Sequence, residues 1–225
     1  MKTTILSALL LALAARASAQ GTFVNLNFEA TTLPYTSATV GGVAAASAFP
    51  GWTVYYGNTP QSTVAYNSVV ATGGIALWAR DFAVGFPVPS SFGLFSAIPG
   101  PSQSVDVSLS QVGMIPFGAS HLQFQTFENA FIGPENFQFR FGNMILPVQE
   151  TARSGSSFNA LVSWQADLTG LDGLTDELRL TMLHTPGIPG GFRLDNLQFV
   201  PEPGTWALLA LGGALLWGGA RRRKA

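Results

Sequence analysis

The chain has 225 residues, of which 47% are hydrophobic and only 10% charged, and it contains no cysteine. The formal net charge is −1, but residues 20–200 carry five arginines, no lysine and eleven acidic residues, a net charge of −6. This acidic balance argues against nucleic acid as a partner, and the missing lysine excludes Schiff-base chemistry in that segment. About 180 residues are enough for one domain that its own core stabilises without disulfides.

Residues 1–19 have the pattern of a secretory signal peptide. Lys2 gives a short basic start, residues 5–15 are an apolar run, and Ala17 and Ala19 flank Ser18 in a small-residue cleavage site. The apolar run is about half the ~20 residues that a spanning helix needs, which disfavours the alternative of an uncleaved anchor. We therefore predict export through the Sec translocon and cleavage by signal peptidase before Gln20.

The C-terminal segment is predicted to cross a membrane. Residues 204–220 contain no charge and form a run long enough to span most of a ~30 Å hydrocarbon core as a helix. Four basic residues follow directly and should remain on the cytoplasmic side of the inner membrane: Arg221, Arg222, Arg223 and Lys224. Residues 20–200 would then lie in the periplasm, on the side that the signal peptide also requires.

Between the predicted domain and this helix stands Pro201-Glu202-Pro203. The two prolines hold Glu202 in an extended segment that cannot join the helix, and a processing enzyme can take up such a segment. The order V-P-E-P-G, apolar run, R-R-R-K resembles the PEP-CTERM sorting signal of exopolysaccharide-producing Gram-negative bacteria, a tail also labelled the C-terminal domain of ice-binding proteins. The resemblance implies that an exosortase, an integral-membrane cysteine protease, recognises Pro201, Glu202 and Pro203 and removes or exchanges the helix. The alternative is a plain membrane anchor with a chance PEP triplet.

Residues 20–200 show the pattern of an all-β domain. Short alternating apolar segments recur between Gly, Pro, Asn and Ser, and a hairpin turn is predicted at Gly142-Asn143, between F-Q-F-R-F and M-I-L-P-V. The alanine-rich run GGVAAASA is too short for a helix, and it begins with two glycines. We expect a two-sheet β-sandwich, most simply a jelly roll. The predicted strands are 22–28, 52–56, 75–78, 92–96, 105–109, 121–127, 137–141, 144–148, 158–168, 177–184 and 192–200.

Two stretches near the ends of this domain resemble galactose-binding-like and carbohydrate-binding-module jelly rolls. They are F-V-N-L-N-F-E early and G-F-R-L-D-N-L-Q-F-V late, and in the resembling modules these strands pair. The resemblance implies a structural Ca²⁺ held by Glu29 and Asp195, with Asn196 and backbone carbonyls as further ligands, since calcium takes six or more oxygens. The alternative is that both carboxylates accept hydrogen bonds at strand ends. No other cofactor is expected.

Exposed aromatic side chains would be the second sign of a sugar site. Tyr55, Tyr56 and Trp78 are candidates for ligand binding, and Tyr55 and Tyr56 must point to opposite faces of a strand. Trp52 follows Pro-Gly into a strand, and we expect it in the core, because large aromatics dominate sandwich interiors.

Catalytic signatures are absent from the sequence. His121 and His184 stand in no metal-binding spacing, and there is no G-x-S-x-G. We therefore expect a non-enzymatic protein of the cell surface or extracellular matrix that is sorted by exosortase and that engages exopolysaccharide. The alternatives are an adhesin or ice-binding module, which would present a flat Thr/Ser ladder, and a secreted glycan hydrolase, which would place two carboxylates in a cleft.

Overall fold

The computed structural model describes residues 21–68, 74–82, 93, 95–99, 105–128, 134–155, 160–184 and 192–201. In this part of the chain the protein is built almost entirely from strands, which confirms the all-β prediction. None of the helices within these ranges is long and apolar enough to cross a bilayer. The predicted signal peptide and the predicted membrane helix 204–220 lie outside the described residues.

The described elements are short strands, one single-turn helix α1 (Ala45–Ala48) and a 3-10 helix (Pro134–Asn136). The strands are β1 (Gly41–Ala44), β2 (Thr53–Tyr56), β3 (Thr59–Pro60), β4 (Thr63–Tyr66), β5 (Ile75–Ala79), β6 (Phe95–Pro99), β7 (Val107–Met114), β8 (Ala119–Glu128), β9 (Phe137–Phe141), β10 (Met144–Leu146), β11 (Val148–Ser154), β12 (Ala160–Asp167), β13 (Thr175–Met182) and β14 (Phe192–Pro201).

These strands form two sheets. The large sheet has the order β1-β4-β5-β6-β14-β8-β12-β11, and the small sheet has the order β10-β9-β13-β7-β2-β3. The described pairings are antiparallel except that β4 and β5 run parallel. From β6 onward the chain passes repeatedly between the sheets, so that β6 pairs with β14, β7 with β13, β8 with β12 and β9 with β10.

The core lies between the two sheets and is rich in aromatic rings. Phe124 of β8 packs 4.5 Å from Phe139 of β9, and Trp164 of β12 packs 5.0 Å from Phe137. The indole Nε1 of Trp164 donates a 2.8 Å hydrogen bond to the hydroxyl of Thr126, so its single polar atom is satisfied inside the core. Inward and outward side chains alternate along each strand. The residues next to these aromatic residues in sequence therefore point to the outer faces of the sheets.

The predicted hairpin is confirmed. Met144 pairs with Phe141 across the turn, and Gly142 has a φ of 55°, the left-handed region that a two-residue hairpin turn requires. A Cβ at Gly142 would also contact the carboxylate of Asp176. Glycine therefore serves both the backbone conformation and the close approach of β13.

Replacing Gly142 with alanine is expected to destabilise the fold by about 1–2 kcal/mol, the cost of the left-handed conformation for a residue with a Cβ. The measurement is the midpoint of urea unfolding of the purified protein. Gly42→Ala is the matched control, because nothing lies within 4 Å of the added methyl group there. Equal destabilisation by both substitutions would contradict the special role of Gly142.

The strand predicted at residues 22–28 is wrong, because this segment is a loop. Asn25 and Phe28 have positive φ values of 53° and 59°, which the regular extended backbone of a β-strand does not adopt. The apolar alternation that suggested a strand has another origin. Phe23, Leu26 and Phe28 are all buried and fix the loop to the core, where the Phe28 ring packs against Phe49 and Trp52.

Other boundaries also differ from the prediction. The run GGVAAASA contains β1 followed by the single-turn α1. Strands β1, β3, β4 and β11 were not predicted; β11 follows β10 after only Pro147, where the chain leaves the small sheet for the large one. Strand β6 begins at Phe95, three residues after the predicted start. The predicted start, residue 92, lies outside the described residues. Trp52 is buried in the core as predicted.

Candidate functional site: a polar groove on the large sheet

A row of four glutamines crosses the outer face of the large sheet. Gln198 of β14 pairs with Gln123 of β8, Gln123 pairs with Gln165 of β12, and Gln165 pairs with Gln149 of β11. Strands lie about 4.8 Å apart, so the row extends for roughly 14 Å. Gln123, Gln149 and Gln198 are exposed and Gln165 is half-buried. The row therefore presents amide donors and acceptors to solvent.

Part of this row lines a groove of about 490 Å³. Among the described residues that line it, none carries a formal charge. Its polar lining includes Asn27, Gln123, Gln125, Ser163, Asn196 and Gln198. Each amide offers both N–H donors and a carbonyl acceptor. The groove is consequently suited to a ligand with many hydroxyl groups and no charge.

The loop at residues 25–30 brings Asn27 to the groove, and Asn25 holds this loop in place. The side chain of Asn25 donates to the carbonyl of Pro50 (3.1 Å) and accepts from the N–H of Ala30 (2.9 Å). Its backbone carbonyl accepts a 3.0 Å hydrogen bond from the indole of Trp52. Asparagine tolerates the left-handed conformation at this position better than most residues do. The loop is thus fixed by several hydrogen bonds as well as by its buried aromatic side chains.

A bulge in β14 shapes the same end of the groove. The pairing with β8 shifts register between Asp195 and Gln198, and Asn196 has a φ of 56°. The side chain of Asn196 donates a 2.9 Å hydrogen bond to Gln125, while the N–H of Leu197 donates to the carbonyl of Leu26. Bulges redirect side chains locally. Here the bulge turns Asn196 into the groove and joins β14 to the loop at residues 25–30.

Asp195 lies directly beside the groove and is completely buried. Its carboxylate accepts hydrogen bonds from the backbone N–H groups of Gly93 (2.9 Å) and Asn196 (2.6 Å). Burial raises the pKa of Asp195 to about 7; the two N–H donors oppose this rise, and the negative charge of Glu29 adds to it. Glu29 also lies against Gly93, where a Cβ would contact its carboxylate. Glu29 and Asp195 are therefore close together, as the predicted calcium site requires.

The donor set supports only part of a calcium site. Calcium needs six or more oxygens, and both oxygens of Asp195 already accept backbone hydrogen bonds. Within the described ranges there is no group of three or more acidic or histidine side chains that could hold a metal. Calcium binding by Glu29 and Asp195 remains a prediction, and the pH dependence described in the Discussion tests it.

The three aromatic residues predicted to bind a ligand lie in three different places. Tyr55 is on the outer face of the small sheet with the guanidinium of Arg179 4.4 Å above its ring. Tyr56 packs against the core, and its hydroxyl lies at the position that a Cβ of Gly74 would occupy. The sequence predicted correctly that the two tyrosines face opposite ways.

Trp78, the third candidate, is half-buried on the outer face of the large sheet. Its indole donates to the carbonyl of Ser68 (3.3 Å), its ring packs 5.2 Å from Phe82, and the guanidinium of Arg193 lies 5.0 Å from the ring centre. Trp78 is therefore packed by neighbouring side chains. The structure does not bring the three aromatic residues together into one site.

The amides of the groove were missed in the sequence. The alternation L-Q-F-Q-T in β8 indicates that Gln123 and Gln125 face away from the core. The partners on β14, β12 and β11 come from segments up to 75 residues away, and only the pairing register aligns them with Gln123.

Pro201 is the one residue of the predicted recognition triplet that the structure describes. It ends β14 and pairs with Ala119 after a register shift, so the last strand runs directly into the triplet. The remaining predicted targeting residues lie outside the described ranges: Ala17, Ala19, Glu202, Pro203, Arg221, Arg222, Arg223 and Lys224.

Residues 199–224 match the family model of the PEP-CTERM protein-sorting motif. No match was found among curated proteins or among solved structures. The matched segment begins in β14 and contains the predicted triplet, the apolar run and the basic residues. The motif implies exosortase as the processing partner and membrane anchoring before sorting. The chain thus carries a PEP-CTERM sorting signal at its C-terminus, which supports its export as an exosortase-sorted surface protein.

Proposed function

We propose that the exported domain is a non-catalytic jelly roll that binds neutral, hydroxyl-rich polysaccharide in the groove of the large sheet. After sorting, the protein would act at the cell surface or in the extracellular matrix of a Gram-negative bacterium. The observation that carries the proposal is the row of four glutamines in register across β14, β8, β12 and β11. Amides satisfy sugar hydroxyls as donors and as acceptors without the desolvation cost of a charge.

The strand pairing supports the jelly-roll assignment. The pairs β6 with β14, β7 with β13, β8 with β12 and β9 with β10 describe one long antiparallel hairpin whose strands are shared between two sheets. This gives the inner strand orders β6-β14-β8-β12 and β7-β13-β9-β10. An eight-stranded double sheet of this kind is the jelly-roll arrangement. Strands β1 to β5 and β11 extend it at the edges.

The environment of the carboxylates disfavours glycan hydrolysis. Hydrolysis needs two carboxyl groups that reach opposite sides of a glycosidic bond. Asp195 has the raised pKa of a general acid, but its side chain is completely buried and both oxygens accept backbone N–H groups. It therefore lacks access to a substrate in the groove. The exposed row is built from glutamines, so a Thr/Ser ice-binding ladder is not favoured either.

Binding can be measured by affinity electrophoresis of the full chain, extracted in detergent, through gels that contain dextran or hydroxyethylcellulose. We expect at least one polymer to retard the protein. Gln123→Ala should weaken this retardation roughly three- to tenfold, the effect of losing neutral hydrogen bonds. Gln123 is exposed at the centre of the row, so the substitution should leave the fold unchanged.

Gln138→Ala is the matched control, because Gln138 occupies the outer face of the small sheet, away from the groove. It should migrate like the unmodified protein. Absence of retardation by both polymers would overturn polysaccharide binding by the groove. An equal effect of the two substitutions would show that the groove is not the binding site.

A further inference from the structure

Two arginines stand side by side on the outer face of the small sheet. Arg140 of β9 and Arg179 of β13 are direct cross-strand partners. Their neighbours in sequence on each strand, Phe139, Phe141, Leu178 and Leu180, point into the core, so both guanidinium groups project outward. These are two of only five arginines in residues 20–200, a segment whose net charge is −6. Placing them together is therefore not a consequence of a generally basic surface.

The pair is only partly neutralised within the domain. Arg179 forms a 3.0 Å ion pair with Glu177 and stacks 4.4 Å above the ring of Tyr55. Arg140 has no carboxylate within 4 Å among the described residues, and its Nη2 makes a long 3.5 Å contact with the carbonyl of Asn143. The Nε atoms of both arginines are buried and lack a hydrogen-bond partner in the described structure.

Such an arrangement costs stability in the absence of a ligand. Like charges directly opposite each other on a sheet are destabilising, and a buried donor without a partner loses its hydration without compensation. A carboxylate placed between the two guanidinium groups would offset the repulsion between the like charges, because arginine presents a planar set of donors that matches a planar carboxylate. Tyr55, which is half-buried, lies on the same face directly under Arg179.

The geometry points to a second binding site, at Arg140 and Arg179, for the carboxylate groups of an acidic polysaccharide. It rests on the proposed function in one respect, namely that the exported domain meets polysaccharide. It differs from the groove in ligand class and in position, since the groove is uncharged and lies on the opposite sheet. One domain would thus hold neutral sugar units on one face and uronate-type units on the other.

The test is affinity electrophoresis of the full chain in detergent through gels that contain polygalacturonate. Arg140→Gln is expected to weaken retardation by roughly tenfold or more, because a hydrogen bond to a charged group is lost. Arg153→Gln is the matched control, since it changes the net charge equally but lies on β11 of the large sheet, where Arg153 pairs with Glu150. A purely nonspecific charge effect would change both variants alike and would overturn the site.

Two further measurements keep the outcome specific. Because Arg140→Gln removes a like-charge neighbour, its melting temperature should equal or exceed that of the unmodified protein; a clear decrease would indicate a structural role and contradict the proposal. The second measurement uses gels that contain dextran sulfate. The carboxylate assignment would be overturned if dextran sulfate retarded the protein, if Arg140→Gln weakened that retardation, and if polygalacturonate caused no retardation. Retardation by neutral dextran should be unchanged in Arg140→Gln, so failure of this site and failure of the groove are separable.

Discussion

The free energy of unfolding should fall by roughly 4 kcal/mol, through Asp195 alone, as the pH rises from about 4 to about 8. The pKa of Asp195 is raised from 3.8 to about 7 in the folded state, and each pKa unit corresponds to about 1.4 kcal/mol. Well below pH 3.8 the carboxyl is protonated in both the folded and the unfolded state, so it causes no loss of stability there. As the pH rises, the unfolded chain releases its proton first, so folding becomes less favourable until the folded state has also released its own.

Urea unfolding at several pH values gives the free energy of unfolding at each pH. The contribution of Asp195 is the difference between the pH dependence of this free energy in the unmodified protein and in Asp195→Asn. The variant should lack the decline, and the exposed Asp81→Asn should retain it. Glu29→Gln should reduce the decline, because the negative charge of Glu29 contributes to the raised pKa. If the stability of the unmodified protein and of Asp195→Asn changed alike over this range, the raised pKa of the buried Asp195 carboxyl would be contradicted.

The same titration tests the predicted calcium site. A bound divalent cation favours the ionised form of a nearby carboxylate. Millimolar calcium should therefore abolish the decline in stability if Glu29 and Asp195 hold the ion, and a chelator should restore it. An unchanged pH profile with calcium would leave both carboxylates as acceptors of protein hydrogen bonds and would contradict the calcium prediction.

Replacing Glu202 with alanine should leave the C-terminal tail attached and the protein in the membrane fraction. Glu202 is the only charged residue in the triplet between the last strand and the apolar run, and the matched sorting motif covers residues 199–224. Without this carboxylate the processing protease loses the one group that could form a charge-assisted contact. The measurement is the apparent mass and fractionation of the protein in the native host, with an antibody against the domain.

Glu135→Ala is the control, because Glu135 is an exposed glutamate in the 3-10 helix. That variant should be processed like the unmodified protein. Normal processing of Glu202→Ala would show that the triplet is coincidental and that the tail is a plain membrane anchor.

The sequence predicted the hairpin at Gly142-Asn143 and the position of most central strands, because the turn and the period-two alternation are local properties. It failed at residues 22–28 for a physical reason. Alternating apolar residues also occur in a loop whose side chains enter the core, and the left-handed conformations of Asn25 and Phe28 depend on contacts with Pro50, Trp52 and Phe49. These partners are more than twenty residues away.

The candidate sites also differ in how far the sequence predicted them. That Glu29 and Asp195 lie close together was expected from a resemblance to known modules and not from strand patterns. The glutamine row and the Arg140–Arg179 pair could not be predicted, because a shift of one residue in any pairing would turn those side chains into the core. Register is fixed by the interlocking of Phe124, Phe139 and Trp164 between the sheets, and this packing is not visible in any single segment.

The sequence alone was enough to predict the targeting signals: a signal peptide with its cleavage site in residues 1–19, and the sorting motif, which the family model matches at residues 199–224. Such segments act as linear signals whose charge and hydropathy are properties of consecutive residues. Only the tertiary structure showed which side chains lie together in the candidate binding sites. It placed four glutamines, two arginines and one buried aspartate beside partners distant in the chain, and it did so because sheet registry and core packing are set by contacts between strands rather than within them.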